Sequence, residues 1–155
     1  MIRSATPADI PSLITLERQC ASAAHWTEEQ YRQAFQSQEV GVERLVLVSE
    51  CSDAAREVDG FLVALNLGPE WELENIVVAP AARRNRLATR LLDALFVTAA
   101  EQKSDAVFLE VRESNVAART LYEKVGLEQT GRRKSYYANP AEDAVLYRRA
   151  LRRRD

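Results

Sequence analysis

A chain of 155 residues, 46% hydrophobic and 28% charged, has the make-up of one globular domain over residues 1–155, large enough to bury roughly 70% of its unfolded surface. No apolar run approaches the roughly 20 residues of a membrane helix, and the opening MIRSATPADI lacks a signal-peptide core, so a cytoplasmic location without membrane contact is expected. The net charge of −2 conceals an asymmetry: residues 1–79 hold 5 basic against 13 acidic side chains, and residues 80–155 hold 16 against 10, which would steer an anionic ligand to the second half.

In chain order, residues 2–5 read as a short strand. Thr6-Pro7 then starts a helix whose core face is Ile10, Leu13 and Ile14. Thr27-Glu28-Glu29-Gln30 has the form of a capping box and opens a second helix. His25-Trp26 lies in the loop between them, where the chain's one histidine is more simply a loop residue than a catalyst. Residues 44–49 and 58–66 are apolar strand-like runs joined by a polar connection, which predicts an antiparallel hairpin. Cys20 and Cys51 stand alone with no partner at metal-ligand spacing, so no metal is expected.

The stretch from Trp71 to Ala100 is the organising segment. Trp71, Leu73, Ile76, Val77 and Val78 are strand formers that Pro80 closes, and Ala88, Leu91, Leu92, Leu95, Phe96 and Ala99 recur at helical intervals. The turn between them, Arg83-Arg84-Asn85-Arg86, feeds a helix N-terminus, where unpaired N–H groups and the positive end of the dipole favour a phosphate.

Residues 106–111 read as another strand, and residues 116–125 as a helix with Ala118, Leu121, Tyr122 and Val125 on one face and Asn115 as its N-cap. Two strands, 128–137 and 144–150, flank a turn at Asn139-Pro140. The order βααβββαβαββ describes an α/β domain with helices on both faces of a mixed sheet. A glutamate in the apolar strand 106–111 calls for a reason: Glu110 is either a candidate base at a ligand site or a solvated carboxylate paired with Arg112 or Arg132.

The turn and helix, V-x-P-x-x-R-R-x-x-L-A-x-x-L-L, resemble the acetyl-CoA-binding motif of the GNAT superfamily of N-acetyltransferases, whose usual form is [Q/R]-x-x-G-x-[G/A]. Arg83, Arg86 and Ala88 take its three specified positions, with Arg86 standing where glycine is usual. The string LEVRESNVAARTLYEKVG at 109–126, Gly131-Arg132-Arg133-Lys134-Ser135-Tyr136-Tyr137, Glu142-Asp143-Ala144, and Glu72 with Asn75-Ile76 resemble segments of the ribosomal-protein-alanine N-acetyltransferases within that superfamily.

The resemblance spans nearly the whole chain and implies the GNAT fold, a mostly antiparallel sheet with a splayed central parallel pair. It implies acetyl-CoA as cosubstrate and a ribosomal protein's N-terminal alanine as acceptor. Glu110 would be general base and Tyr122 general acid. The backbone of Ile76, Val77 and Val78 would pair with the pantetheine arm, Arg83 and the backbone of Arg84, Asn85, Arg86, Leu87, Ala88 and Thr89 would hold the pyrophosphate, and Asn115 would touch the cosubstrate. Trp26, Glu72, Asn75, Tyr136 and Tyr137 would line the acceptor side. Arg86 would cost about 1–2 kcal/mol if the turn holds it in the left-handed region, and its side chain would either crowd the pyrophosphate or offer it a charge-assisted contact. A small amine or lysine acceptor, or a non-catalytic acyl-CoA-binding module, stays open, whereas the lack of interleaved aromatic and basic residues argues against nucleic-acid binding.

Overall fold

The computed structural model describes residues 1–20, 23–36, 43–51, 57–83 and 85–151. Arg152-Arg153-Arg154 and most of the polar connection after Cys51 lie outside that set. The elements are β1 (Ile2–Ser4), a 3-10 turn (Pro7–Asp9), α1 (Ile10–Arg18), α2 (Glu28–Ala34), β2 (Glu43–Glu50), β3 (Val58–Asn66), β4 (Glu70–Val78), a 3-10 turn (Pro80–Ala82), α3 (Leu87–Glu101), β5 (Ala106–Arg112), α4 (Val116–Lys124), β6 (Glu128–Tyr137) and β7 (Glu142–Ala150). This is the expected order. The capping box at α2 forms in both directions, Gln30 N–H donating to Thr27 Oγ1 at 3.2 Å and Thr27 N–H donating to Gln30 Oε1 at 2.8 Å. At Thr6 the bond runs from its N–H to Asp9 Oδ2 at 2.8 Å.

The seven strands form one sheet ordered β1-β2-β3-β4-β5-β7-β6. Every neighbouring pair is antiparallel except β4 and β5. Strand alternation then sends side chains to two separate cores. Leu47, Leu62 and Ala64 pack with α3 and α4, while Val46, Val48, Phe61 and Val63 pack with Leu13 of α1 and Tyr31 of α2. Leu87, rather than Ala88, begins the buried stripe of α3, which continues through Leu91, Leu92, Leu95, Phe96 and Ala99.

The strand β4 departs from regular pairing on both of its edges. Its parallel pairing with β5 lasts for only Glu70, Trp71 and Glu72, after which the strands part. Against β3 the register skips Glu74, with Ala64 opposite Leu73 and Val63 opposite Asn75, which is a β-bulge. One extra residue inverts the faces. Trp71 and Leu73 belong to the α3–α4 core, but Val77 belongs to the α1–α2 core and Ile76 and Val78 return to the α3 side. At the start of the parallel pair Trp71 is fully buried, its indole N–H donating to Ser104 Oγ at 2.9 Å.

The N-terminus of α3 is seated by Gly60. A methyl group there would lie 2.9 Å from Leu87 Cδ2 and 3.2 Å from the Val77 carbonyl oxygen. Gly60→Ala is therefore expected to destabilise the fold by about 1–3 kcal/mol, measured as a lower urea midpoint at unchanged slope.

Candidate active site

The parting of β4 and β5 opens a cleft of about 1290 Å³. Residues 72–78 of β4 form one wall and residues 109–112 of β5 the other. Arg83, Arg86, Ala88 and Thr89 close one end, Asn115, Ala118 and Tyr122 stand on the α4 side, and His25, Trp26, Tyr136 and Tyr137 line the other end. Beyond Glu72 the edge of β4 that faces β5 has no strand partner among the described residues, so the backbone groups along residues 76–78 lack ladder bonds to them on that side.

The phosphate-type turn has the geometry its motif requires. Arg86 is the N-cap of α3 at φ 56° and ψ 25°, the left-handed conformation in which glycine is at no disadvantage. Its exposed side chain and that of Arg83 bring positive charge to the helix start. Ala88 and Thr89 also reach the cleft, whereas the Leu87 side chain is 1% exposed and belongs to the core. Asn85 is exposed with its N–H donating to the Ala82 carbonyl, and the structure does not bring it to the cleft wall. Arg84 lies outside the described residues.

Asn115 caps α4 by accepting from Ala118 N–H at 3.2 Å. The turn before it is held by Glu142, which accepts from Ser114 N–H and from Arg112 at 3.2 Å, and Arg112 lies 4.4 Å from the Tyr137 ring centre. These contacts bring α4 to the end of β5, so that Tyr122 and Glu110 line the same cleft. The Tyr122 ring is buried against Tyr147, and no hydrogen bond to its hydroxyl occurs among the described residues. Burial, and to a lesser degree Tyr137, pushes its phenol above the ordinary tyrosine range, so the group is a protonated donor at neutral pH. Glu110 pairs with Arg133 at 3.2 Å, not with Arg112 or Arg132, because Arg112 is engaged by Glu142 and Arg132 by Glu113 and Asp143. Hydrogen bonding to Glu110 raises the Tyr136 phenol.

The acceptor-side residues differ in how free they are. Glu74 is held by Arg44 through two bonds of 2.7 and 3.1 Å, and the Arg44 guanidinium lies 5.7 Å from the Trp26 ring centre. Asn75 is buried and donates to Glu17 Oε1 at 3.0 Å, so its side chain is committed to the protein. Glu72 has no ion pair among the described residues. Its carboxyl is raised above the ordinary glutamate range by burial first, then by Glu74 and Glu110. Apart from Asn85 and Leu87, the expected residues that are described gather round one cleft. Sequence reading missed Glu17, Tyr31, Arg44, Glu74 and Arg133, and discounted His25, which lines the cleft. Among the described residues no group of three His, Cys, Asp or Glu could hold a metal, and no helix is long and apolar enough to cross a membrane.

Residues 10–127 match the Acetyltransferase (GNAT) family. This chain belongs to that family. It is 31% identical to a [ribosomal protein bS18]-alanine N-acetyltransferase of Salmonella typhimurium over 140 residues, 89% of this chain and 88% of that one. It is 37% identical to the Haemophilus ducreyi protein of the same name over 89 residues, 56% of this chain and 61% of that one. That span and the matches to two other relatives, at 21% and 63% of their length, fall short of two thirds of those proteins. The crystal structure of the ribosomal-protein-S18-alanine N-acetyltransferase from Escherichia coli superposes with a TM-score of 0.81 at 25% identity, covering 100% of this chain and 96% of that one. Arabidopsis thaliana NAA60 in complex with acetyl-CoA shares the fold with a TM-score of 0.85 at 15% identity, covering 97% of this chain and 98% of that one. The expected GNAT fold, with its splayed parallel pair, is therefore the one observed.

Two effects on stability are expected. Arg86→Gly relieves a left-handed non-glycine residue and should stabilise the chain by about 1 kcal/mol in urea unfolding. Glu72 holds its proton to higher pH folded than unfolded, so its contribution to stability is fully present below the unfolded value and is lost as pH rises through the raised one. Glu72→Gln is accordingly expected to exceed wild type in stability at pH 7, with the gain vanishing below about pH 4. Paired urea titrations at the two pH values measure it.

Proposed function

We propose that this chain transfers an acetyl group from acetyl-CoA to a protein N-terminal amine in the cytoplasm, with the N-terminal alanine of a ribosomal protein of the S18 type as acceptor. The observation that carries the reading is the open edge of β4 at residues 76–78, lying across one cleft from Glu110 and Tyr122. An extended amide-bearing arm can add to such an edge as a strand does, and the arginines at the start of α3 suit a pyrophosphate. The ribosomal acceptor rests on the names of the Haemophilus and Salmonella relatives.

Acetyl-CoA supplies an activated thioester. The chain's own groups then have two proton tasks. The acceptor amine must be neutral to attack, and an α-amino group with a pKa near 7.7–8.0 is about a tenth neutral at pH 7, whereas a lysine near 10.4 is almost wholly charged. Glu110 takes the ammonium proton, directly or through one water, once the acceptor draws Arg133 away from it. The amine nitrogen bonds to the thioester carbon, the carbon–sulfur bond breaks, and the Tyr122 phenol gives its proton to the departing thiolate. The second proton, which the acylated nitrogen sheds, restores the phenol, while the first passes from Glu110 to water. Burial of Tyr122 keeps its phenol protonated at neutral pH, so a proton is in place when the carbon–sulfur bond breaks, although the raised phenol is the weaker acid. Glu72, Glu74 and Glu110 place carboxylates along the acceptor end, a field that favours a cationic amine over an anionic substrate.

The test is thiol release from acetyl-CoA with a peptide beginning Ala-Arg, a lysine peptide and a panel of small amines. Turnover confined to the N-terminal amine is expected, with kcat lowered on the order of 10²-fold in Glu110→Gln and in Tyr122→Phe. Turnover with lysine or small amines alone would replace the acceptor class, and acetyl-CoA binding without any turnover would make the chain an acyl-CoA-binding module.

A further inference from the structure

The acceptor end contains a buried carboxylate that no proton-transfer step uses. Glu17 is 2% exposed, and one of its oxygens, Oε1, accepts three bonds: from Trp26 N–H at 3.0 Å, from the Tyr31 hydroxyl at 2.7 Å and from Asn75 Nδ2 at 3.0 Å. These donors come from the loop before α2, from α2 and from β4. A charged residue is not needed to fill this face of α1, where Ile10, Leu13 and Leu16 already make the core, and burying one is unfavourable unless its bonds are satisfied.

A second tie meets the same residue. Arg44 is bound in a fork by Glu74 and carries its guanidinium to within 5.7 Å of the Trp26 ring centre, a cation–π distance. Trp26 is therefore held by its backbone through Glu17 to Asn75 and by its ring through Arg44 to Glu74. Glu74 and Asn75 are consecutive, and they are the bulge residue and the one after it. The next residues, 76–78, are those whose open edge faces the cleft.

We propose that Glu17 and Arg44 are positioning residues that lock Trp26 to the β4 bulge, so that the acceptor wall is registered against the strand edge that would hold acetyl-CoA. Neither touches the reacting atoms. Their effect passes through Trp26 and falls on acceptor binding, leaving acetyl-CoA binding to β4 and α3. The proposal rests on the acetyl-transfer reading of the cleft.

Glu17→Ala, Glu17→Gln, Arg44→Ala and wild type are compared in two measurements. Steady-state kinetics with the Ala-Arg peptide is expected to show peptide KM raised about tenfold in both alanine variants with acetyl-CoA KM within about twofold, and Glu17→Gln recovering most of the loss, because its amide oxygen still accepts from Trp26 and Tyr31. Acrylamide quenching reads Trp26 alone, since Trp71 is fully buried, and is expected to rise in the alanine variants. Equal rises in both KM values together with a fallen urea midpoint would reduce Glu17 to a structural role. Arg44, with 17% of its side chain exposed, decides the matter if Glu17→Ala does not fold. Unchanged peptide KM or unchanged quenching overturns the proposal. If wild type acetylates no peptide, the N-terminal-amine reading of the acceptor fails, and the quenching measurement still decides whether these residues hold Trp26.

Discussion

One extra residue in β4 is the constraint on which the rest of the site depends. With no bulge at Glu74, the alternation begun by Trp71 and Leu73 would continue, and Asn75 and Val77 would face the α3–α4 core. With it, Val77 joins the α1–α2 core and Ile76 and Val78 pack towards α3, while Asn75 reaches Glu17. The bulge also lies just beyond the last parallel pair with β5, and bulges in general sharpen strand twist, which suits the parting of the two strands there. The open edge and the Asn75–Glu17 bond thus begin at adjacent positions of one strand.

Charge at the acceptor end is set by that geometry. Three carboxylates, Glu72, Glu74 and Glu110, share one cleft, and two of them have arginine partners, Arg44 for Glu74 and Arg133 for Glu110. These pairs differ in kind. Arg44 and Glu74 have side chains 17% and 15% exposed and form a two-bond fork, whereas Arg133 is 57% exposed and meets Glu110 through one contact of 3.2 Å. Screening weakens the second far more than the first, so Arg133 is the exchangeable partner and Arg44 the fixed one. A fixed pair suits a wall, and an exchangeable pair suits the base role proposed for Glu110.

Much of this was legible in the sequence because it is local. Helix stripes, the Thr27 box, the Asn115 cap and the turn after β4 are set by residues within a few positions of one another, and Arg86 stands at the position where the motif usually has glycine, in the left-handed conformation glycine allows. What was not legible depends on pairing between distant segments. The insertion of β7 between β5 and β6, the bulge at Glu74, and the choice of Arg133 over Arg112 or Arg132 emerge only when the register is known. Glu17 is a different case, because its signal is local too. It stands at helical intervals from Ile10, Leu13 and Ile14 and so lies on the apolar face of α1, where a charged residue demands buried partners.

The two cores give the cleft a division of labour. The α3 side, with Leu87 packed on Gly60, fixes the phosphate turn to the sheet, and the α1–α2 side, with Tyr31 under Trp26 at 5.4 Å between ring centres, fixes the acceptor loop. The sheet lies between them, and β4 is a strand that contributes heavily to both, through Trp71 and Leu73 on one side and Val77 on the other. A change in α3 packing can therefore reach the acceptor wall mainly through β4, whose backbone is tied to β3 along nearly its whole length. Because close-packed layers yield little to small strains, the two ends of the cleft are held at a set spacing by the strand they share. Bringing a thioester and an amine into reach of each other requires that kind of registration.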